Sequence, residues 1–352
     1  DTARKTYILS RGVYDQHAEQ VQPATPNAIM DFPAGLPDNR LGLSEWLFNA
    51  KNPLTARVFV NRIWQEVFGN GIVKTSNDFG MQGSLPVNPK LLDWLAVDFR
   101  ENGWNIKRLA KQIYMSATYR QSSVITPEKL KADPGNIYLS YAPRIRMNAE
   151  MVRDMALASS GLLQPIIGGP SVKPYQPPGL WELATSGRGL LATYKQDHGD
   201  KLYRRGMYTF IKRTVPPPAM MIFDASNRDQ CEVKRSRTNT PLQALIMMND
   251  PTILEASVAL ADYLTQKEEK PEAAVTDAFL RIINRHPAKQ EQDILLAYLN
   301  EQQAYFKANP ATIEKVIKAG EYKMKSAPAP EVAALARLVQ VIYNMDEAIT
   351  KT

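Results

Sequence analysis

The sequence predicts a mainly α-helical protein, a multi-helix domain with a small β element. Three observations carry that expectation. Five proline-led helix starts punctuate the chain, apolar residues recur at helical spacing in six places, and strand-like alternation is confined to two short stretches.

The starts are Asn52-Pro53, Asn88-Pro89, Thr240-Pro241, Asp250-Pro251 and Asn309-Pro310. In each pair a side-chain oxygen is placed to accept an orphan backbone N–H, and proline at the first helical position gives up a donor that had no partner. The stripes follow. Ala56, Val60, Ile63, Trp64 and Val67 share one face of a helix that stops at Gly69. Leu91, Leu92, Leu95, Ala96 and Phe99 do the same before Gly103, and Ile106, Leu109, Ala110, Ile113, Tyr114 and Ala117 form a third stripe. Met147 to Leu162 reads as a fourth helix. Val275, Ala278, Phe279, Ile282 and Ile283, and then Val332, Leu335, Leu338, Val339 and Ile342, mark a C-terminal helical bundle.

The β element has two parts. Thr6 to Ser10 is a short strand with no evident partner nearby, expected to pair elsewhere in the chain or with another domain. A second strand is expected at 203–213, where Arg205, Met207, Thr209 and Ile211 alternate with Arg204, Tyr208, Phe210 and Lys212 before Pro216-Pro217-Pro218. Between Gly168 and Gly199 prolines disfavour helix. The expected organisation is an N-terminal helical subdomain with its leading strand at 1–165, a Pro/Gly-rich connector with the β element at 166–240, and a helical bundle at 241–352.

With 352 residues, 44% hydrophobic and 22% charged, the chain has the composition of a globular protein and length for more than one core. No apolar run approaches the ~20 residues of a membrane helix. Asp1 to Lys5 lead into no apolar stretch, so no signal peptide is read, and the chain opens as though cut from a longer one. One cysteine, Cys231, excludes an internal disulfide, a thiolate metal cluster and a c-type haem attachment within this chain. His17, His198 and His286 are far apart in sequence, and no metal site is expected. The net charge of +7 concentrates in 166–250, with 12 basic and 7 acidic residues. No dense Lys/Arg block or nucleic-acid motif accompanies it, so a solvated surface is preferred over nucleic-acid binding. Nucleotide loops, metalloprotease motifs and nucleophile elbows are absent.

Four groups of residues are candidates for ligand binding. Asn61 and Arg62 lie opposite an apolar stripe, where they would face a cleft, or Arg62 would pair with Asp78 and pin the Asp78-Phe79-Gly80 loop. Arg144, Arg146, Glu150, Arg153 and Asp154 crowd one helix start, suited to acid–base work or to a salt network. Arg235, Arg237, Thr238 and Asn239 precede a helix N-terminus that would favour a phosphate, sulfate or uronate; alternatively Thr240 caps Pro241 and the arginines meet Asp224 or Glu232. Tyr175, Trp181, Tyr194 and Tyr203, with Arg205 nearby, would stack on sugar rings or anchor the long connector.

Long strings of residues resemble the C-terminal domain of planctomycete-type cytochrome c-associated proteins, a family of unknown activity. They are Asn52-Pro53-Leu54-Thr55-Ala56-Arg57-Val58-Phe59-Val60-Asn61-Arg62-Ile63-Trp64 with Phe68-Gly69 and Gly71, Asn77-Asp78-Phe79-Gly80 with Gly83, and Leu91-Leu92-Asp93-Trp94-Leu95-Ala96. Further matches are Ser116 to Ser122, Tyr203-Arg204-Arg205, Lys212-Arg213, Phe223-Asp224, Arg237 to Leu245, and Asn249-Asp250-Pro251. The likeness covers about Lys5 to Leu299. It implies a periplasmic or extracellular setting, a c-type haem on an upstream domain rather than in this chain, and a link to polysaccharide breakdown. The leading functional expectation is therefore a domain that binds a carbohydrate or anionic ligand. The alternatives are a non-catalytic domain docking a haem-containing or other partner domain, and a hydrolase using Asp78, Glu150, Asp154 or Asp224.

Overall fold

The structure, a computed structural model, describes residues 5–189, 191–268 and 270–351. It divides into two compact units at Pro143/Arg144. Helices dominate, with two two-stranded sheets among the described residues.

In the first unit, β1 (Thr6–Leu9) pairs antiparallel with β2 (His17–Val21), Thr6 lying opposite Val21 and Leu9 opposite His17. The leading strand thus finds its partner within one turn, closed by a bond from the Ser10 N–H to the Gln16 carbonyl at 2.9 Å. That partner escaped sequence reading because His17-Ala18-Glu19-Gln20-Val21 has no buried face to impose alternation. Five helices follow: α1 (Arg40–Phe48), α2 (Thr55–Phe68), α3 (Pro89–Glu101), α4 (Ile106–Tyr114) and α5 (Pro127–Ala132). Their N-caps are side chains of the expected type. Asn39, Asn88, Asn105 and Thr126 each accept backbone N–H bonds in the first turn, and Asn52 accepts from Leu54 and Thr55 just ahead of α2.

The core of this unit joins Val60, Val67 and Phe68 of α2 to Leu92, Leu95 and Phe99 of α3 and Leu109 and Ile113 of α4. Phe59 stacks on Phe99 with ring centroids 5.1 Å apart. Asn61 is fully buried rather than facing a cleft. Its Nδ2 donates to the Val73 carbonyl at 3.0 Å and its Oδ1 accepts from the Val73 N–H at 2.8 Å. The neighbouring Gln65 is hydrogen-bonded by Ser76. The loop comes so near that a Cβ on Gly71 would lie 2.5 Å from Asn61 Nδ2. The polar side of α2 is therefore an internal clasp for residues 71–76. Arg62 is exposed and makes no ion pair with Asp78 among the described residues; Asp78 instead accepts the Gly80 N–H at 2.7 Å, a turn closed within its own loop.

The second unit is tied at its ends by β3 (Ile145–Arg146) and β4 (Thr350–Lys351), antiparallel. Its helices are α6 (Ala149–Ser159), α7 (Leu180–Thr185), α8 (Pro218–Ile222), α9 (Pro241–Asn249), α10 (Pro251–Lys267), α11 (Pro271–Ile283), α12 (Lys289–Ala308), α13 (Ile313–Ile317) and α14 (Pro330–Tyr343). α10 and α14 run through the middle, and Ala256, Leu260, Leu264, Leu338, Val339 and Ile342 have no solvent exposure. Val152, Ala156 and Leu157 of α6 join this same core, so α6 belongs with the C-terminal bundle and the chain divides before it, not near residue 165.

Two expectations need correction here. Residues 203–213 form no strand. Two short 3-10 turns, Gly199–Tyr203 and Gly206–Tyr208, carry this stretch, with single bridges from Arg204 to Gln164 and from Thr209 to Val172. The alternation arises because Leu202, Arg204 and Thr209 each turn inward from irregular backbone. Thr240 makes no side-chain cap on α9, nor does Asn309 on the turn that follows it; proline alone marks these starts. No single helix among the described residues is long and apolar enough to cross a membrane.

Replacing Asn61 by alanine leaves both polar groups of Val73 buried without partners, at ~2–4 kcal/mol; urea unfolding is expected to show that loss. In the second unit, Arg285 donates to both carboxylate oxygens of Glu291, at 2.7 and 2.8 Å. With the Ala288 N–H, this holds the Glu291 carboxyl well below its usual range, at about 2. Because the folded pKa is the lower one, the stabilisation is complete above the unfolded value of 4.5 and is lost as pH falls through about 2. The stability difference between wild type and Glu291→Gln is expected to be constant from pH 7 to pH 5 and to shrink towards zero near pH 2, followed by thermal melts across that range.

Candidate functional site

The second unit encloses an unusual number of polar groups where α6, the 168–215 connector and α10 meet. Arg153 extends from α6 into this layer. Its Nη1 donates to Thr252 Oγ1 at 3.1 Å and its Nη2 to the Leu202 carbonyl, while Nε is buried without a hydrogen-bond partner. It makes no ion pair among the described residues. Burial pushes the guanidinium pKa down, opposed by the fields of Asp250, Asp154 and Glu255. Asp250 caps α10 through the Thr252 N–H at 2.8 Å. Its own burial pushes its carboxyl up, against hydrogen bonds from Thr252 and Ile253 and the charge of Arg153.

Beside these groups lies a cavity of about 60 Å³. Arg153, Tyr175, Thr209, Asp250 and Thr252 supply its polar wall, and the remainder is apolar, including Met220 and Phe223. Thr209 is 7% exposed and its Oγ1, like Arg153 Nε, has no partner. Two buried polar atoms without partners in the wall of one cavity are uncommon, since each costs ~1–3 kcal/mol.

Behind the cavity, Glu255 of α10 is wholly buried. Its Oε1 accepts from Tyr203 at 2.9 Å, Tyr175 at 3.1 Å, and the backbone N–H groups of Glu321 and Tyr322 at 2.6 and 2.7 Å. Burial and this carboxylate together push both phenol pKa values up, so both tyrosines remain protonated donors. Two turns along α10, Asp262 is equally buried and accepts from Tyr322 Oη and the N–H groups of Lys325 and Ser326. Burial alone would raise its pKa, but these hydrogen bonds outweigh it and hold the carboxyl low.

The remaining sequence-derived candidates are placed as follows. Arg146 bonds Asp346 and Gln243, each at 2.9 Å. Glu150 accepts Arg235 at 2.7 Å, and Asp154 accepts Arg205 at 3.0 Å together with the Gly206 N–H. The charged cluster at the start of α6 is therefore a set of ion pairs that dock the connector and the 235–238 segment. Thr238 donates to Asp224 through both its N–H, at 2.7 Å, and its hydroxyl, at 2.9 Å. Arg237 and Asn239 are exposed beside it. Trp181 is 1% exposed and packs against Tyr194 and Phe210, so the ring anchors the connector and offers no face to a sugar. Of the binding candidates named from sequence, Arg153 and Tyr175 both line this cavity.

Glu255, Asp262 and Thr209 were not singled out by sequence. For the acids a signal existed. They lie seven apart in Thr252-Ile253-Leu254-Glu255-Ala256-Ser257-Val258-Ala259-Leu260-Ala261-Asp262, on the buried face of a helix that carries no other charge there. Thr209 has no such signal, because its burial depends on a single bridge to Val172. No group of three or more metal-ligating side chains occurs among the described residues.

A family profile described as PSD1, protein of unknown function (DUF1553), matches residues 39–299. The chain belongs to that family. No curated protein and no solved structure matches it.

The Glu255 clasp depends on Gly320. A Cβ there would lie 2.7 Å from Glu255 Oε2 and closer still to Oε1, at a backbone φ of +72°. Gly187 has a similar φ of +69° with open space around it. Gly320→Ala is expected to lower stability by ~1–3 kcal/mol more than Gly187→Ala, the difference reporting the clash rather than the backbone cost. Calorimetry of the two variants checks this.

Proposed function

We propose that this member of the PSD1 family is a ligand-binding domain, and that the Arg153 cavity receives a small oxygen-rich group, a carboxylate or hydroxyl of a carbohydrate-type ligand. One observation carries the reading: Arg153 Nε and Thr209 Oγ1 are both buried and both without partners in the wall of the same cavity. A guanidinium N–H requires an acceptor and a hydroxyl can donate to one, so an oxygen held between them would satisfy both. The apolar remainder of the wall suits the carbon atom that carries that oxygen. The hydrogen bonds that hold Arg153, Tyr175 and Asp250 support the same reading, since a site that loses little freedom on binding keeps more of its interaction energy.

The resemblance to cytochrome c-associated proteins supports an extracytoplasmic setting and a haem carried on an upstream domain. Within this proposal the chain contributes recognition, and electron transfer belongs to that other domain. Hydrolysis by Glu150, Asp154 or Asp224 gains no support, because those carboxylates hold Arg235, Arg205 and Thr238.

The test is a thermal-shift screen of the full chain against neutral, uronate and sulfated oligosaccharides, with inorganic sulfate and phosphate as controls. A ligand at about 100 times its Kd adds ~2.7 kcal/mol. Stabilisation by a glycan that is lost in Thr209→Val, a near-isosteric change that removes the hydroxyl, is the expected result. If no glycan stabilises the wild type, or Thr209→Val responds as wild type does, the cavity is not the recognition site.

A further inference from the structure

We infer that the C-terminal bundle carries a second site, for a ring-bearing carboxylic acid with a hydroxyl group, in a groove between α9, α12, α13 and α14. The groove encloses about 790 Å³, within the ~300–1,000 Å³ range of small-molecule pockets. Its wall shares no residue with that of the Arg153 cavity.

Its charge is one-sided. Arg337 and Lys315 line it, and no aspartate or glutamate does. Neither cation makes an ion pair among the described residues. Arg337 Nη1 donates to the amide oxygen of Gln340 at 2.9 Å, and Gln340 Nε2 is in turn anchored to the Met248 carbonyl at 2.5 Å. A guanidinium held by a neutral amide keeps its remaining N–H groups for an anion, and a carboxylate matches its fork. Lys315 is an exposed point charge on the same wall, suited to attract that anion from solution.

The rest of the groove selects the body attached to that carboxylate. Tyr298 and Tyr305 bring aromatic faces, Tyr305 with 48% of its surface exposed. Met248 and Val341 add apolar surface and are 51% and 41% exposed. Tyr305 is also fixed edge-on against the buried Phe306, with centroids 5.3 Å apart, so its ring is held in place for stacking. Asn344 completes the wall, and its Oδ1 is buried with no hydrogen-bond partner. A buried amide oxygen accepts and cannot donate. The partner it lacks is an O–H or N–H, supplied by a hydroxyl on the bound ring.

Two chemical sources offer a ring with both a carboxylate and a hydroxyl, a phenolic acid and a sugar acid. Isothermal titration of the full chain with 4-hydroxybenzoate and with glucuronate separates them, and benzoate and 4-hydroxybenzyl alcohol remove one functional group each. One of the two hydroxy acids is expected to bind, with benzoate and the neutral alcohol each at least tenfold weaker. Arg337→Gln is expected to weaken the acid at least tenfold. Tyr305→Ser, at an exposed position where folding is not at stake, should weaken it severalfold. Thr209→Val should leave this affinity unchanged, which separates the groove from the Arg153 cavity. The inference is overturned if neither acid binds at up to about 10 mM, or if Tyr305→Ser and Arg337→Gln, checked by circular dichroism, both bind as wild type does.

Discussion

A carboxylate enclosed in a helical bundle must be met by several donors, because the cost of removing its charge from water is otherwise prohibitive. α10 carries two, Glu255 and Asp262, and much of the second unit is arranged to meet them. Glu255 gathers Tyr175 and Tyr203 from the connector and the backbone at 321–322. Asp262 gathers the backbone at 325–326. Segments outside the α-helices and sheets are thus tied to a central, largely buried helix of the unit. Charge supplies what the apolar core does not, a fixed position for irregular chain.

The same constraint shapes the Arg153 cavity. The tyrosines that serve Glu255 pull the connector across α6 and α10, and Tyr175 then forms part of the cavity wall. Arg153 compensates the carboxylates only at a distance, through space rather than by contact, and its Nε is left over. Asn61 plays a comparable organising part in the first unit, with neutral groups in place of charges. In both units, polar side chains on the buried faces of helices hold the loops. Nearer the surface, opposite charges pair directly in places, as Arg205 does with Asp154.

Much of the fold was legible in the chain. The capping side chains at Asn88 and Asp250 act as their residue types require, since such a bond is made to backbone two or three residues away. The apolar stripes of α2, α3, α11 and α14 became largely buried faces, whereas in α4 Leu109 and Ile113 are buried and Ile106 and Tyr114 stay exposed. These features are local, and local geometry follows from spacing. The pairing of β1 and the irregular course of 203–213 were not legible, because neither has a buried face whose periodicity reports its backbone. Alternation at 204–212 mimicked a strand, although Arg204 and Thr209 bridge different neighbours, Gln164 and Val172.

The sequence by itself determined the helical class, the helix starts and the residue types available for recognition, because each depends on contacts within a turn or two. Only the tertiary structure decided which of those residues are occupied. It turned Asn61 and Trp181 inward, set Glu150 against Arg235, and left Arg153 Nε, Thr209 Oγ1 and Asn344 Oδ1 without partners. A side chain's partner, or its lack of one, is set by groups tens to hundreds of positions away, and spacing along the chain carries no record of them.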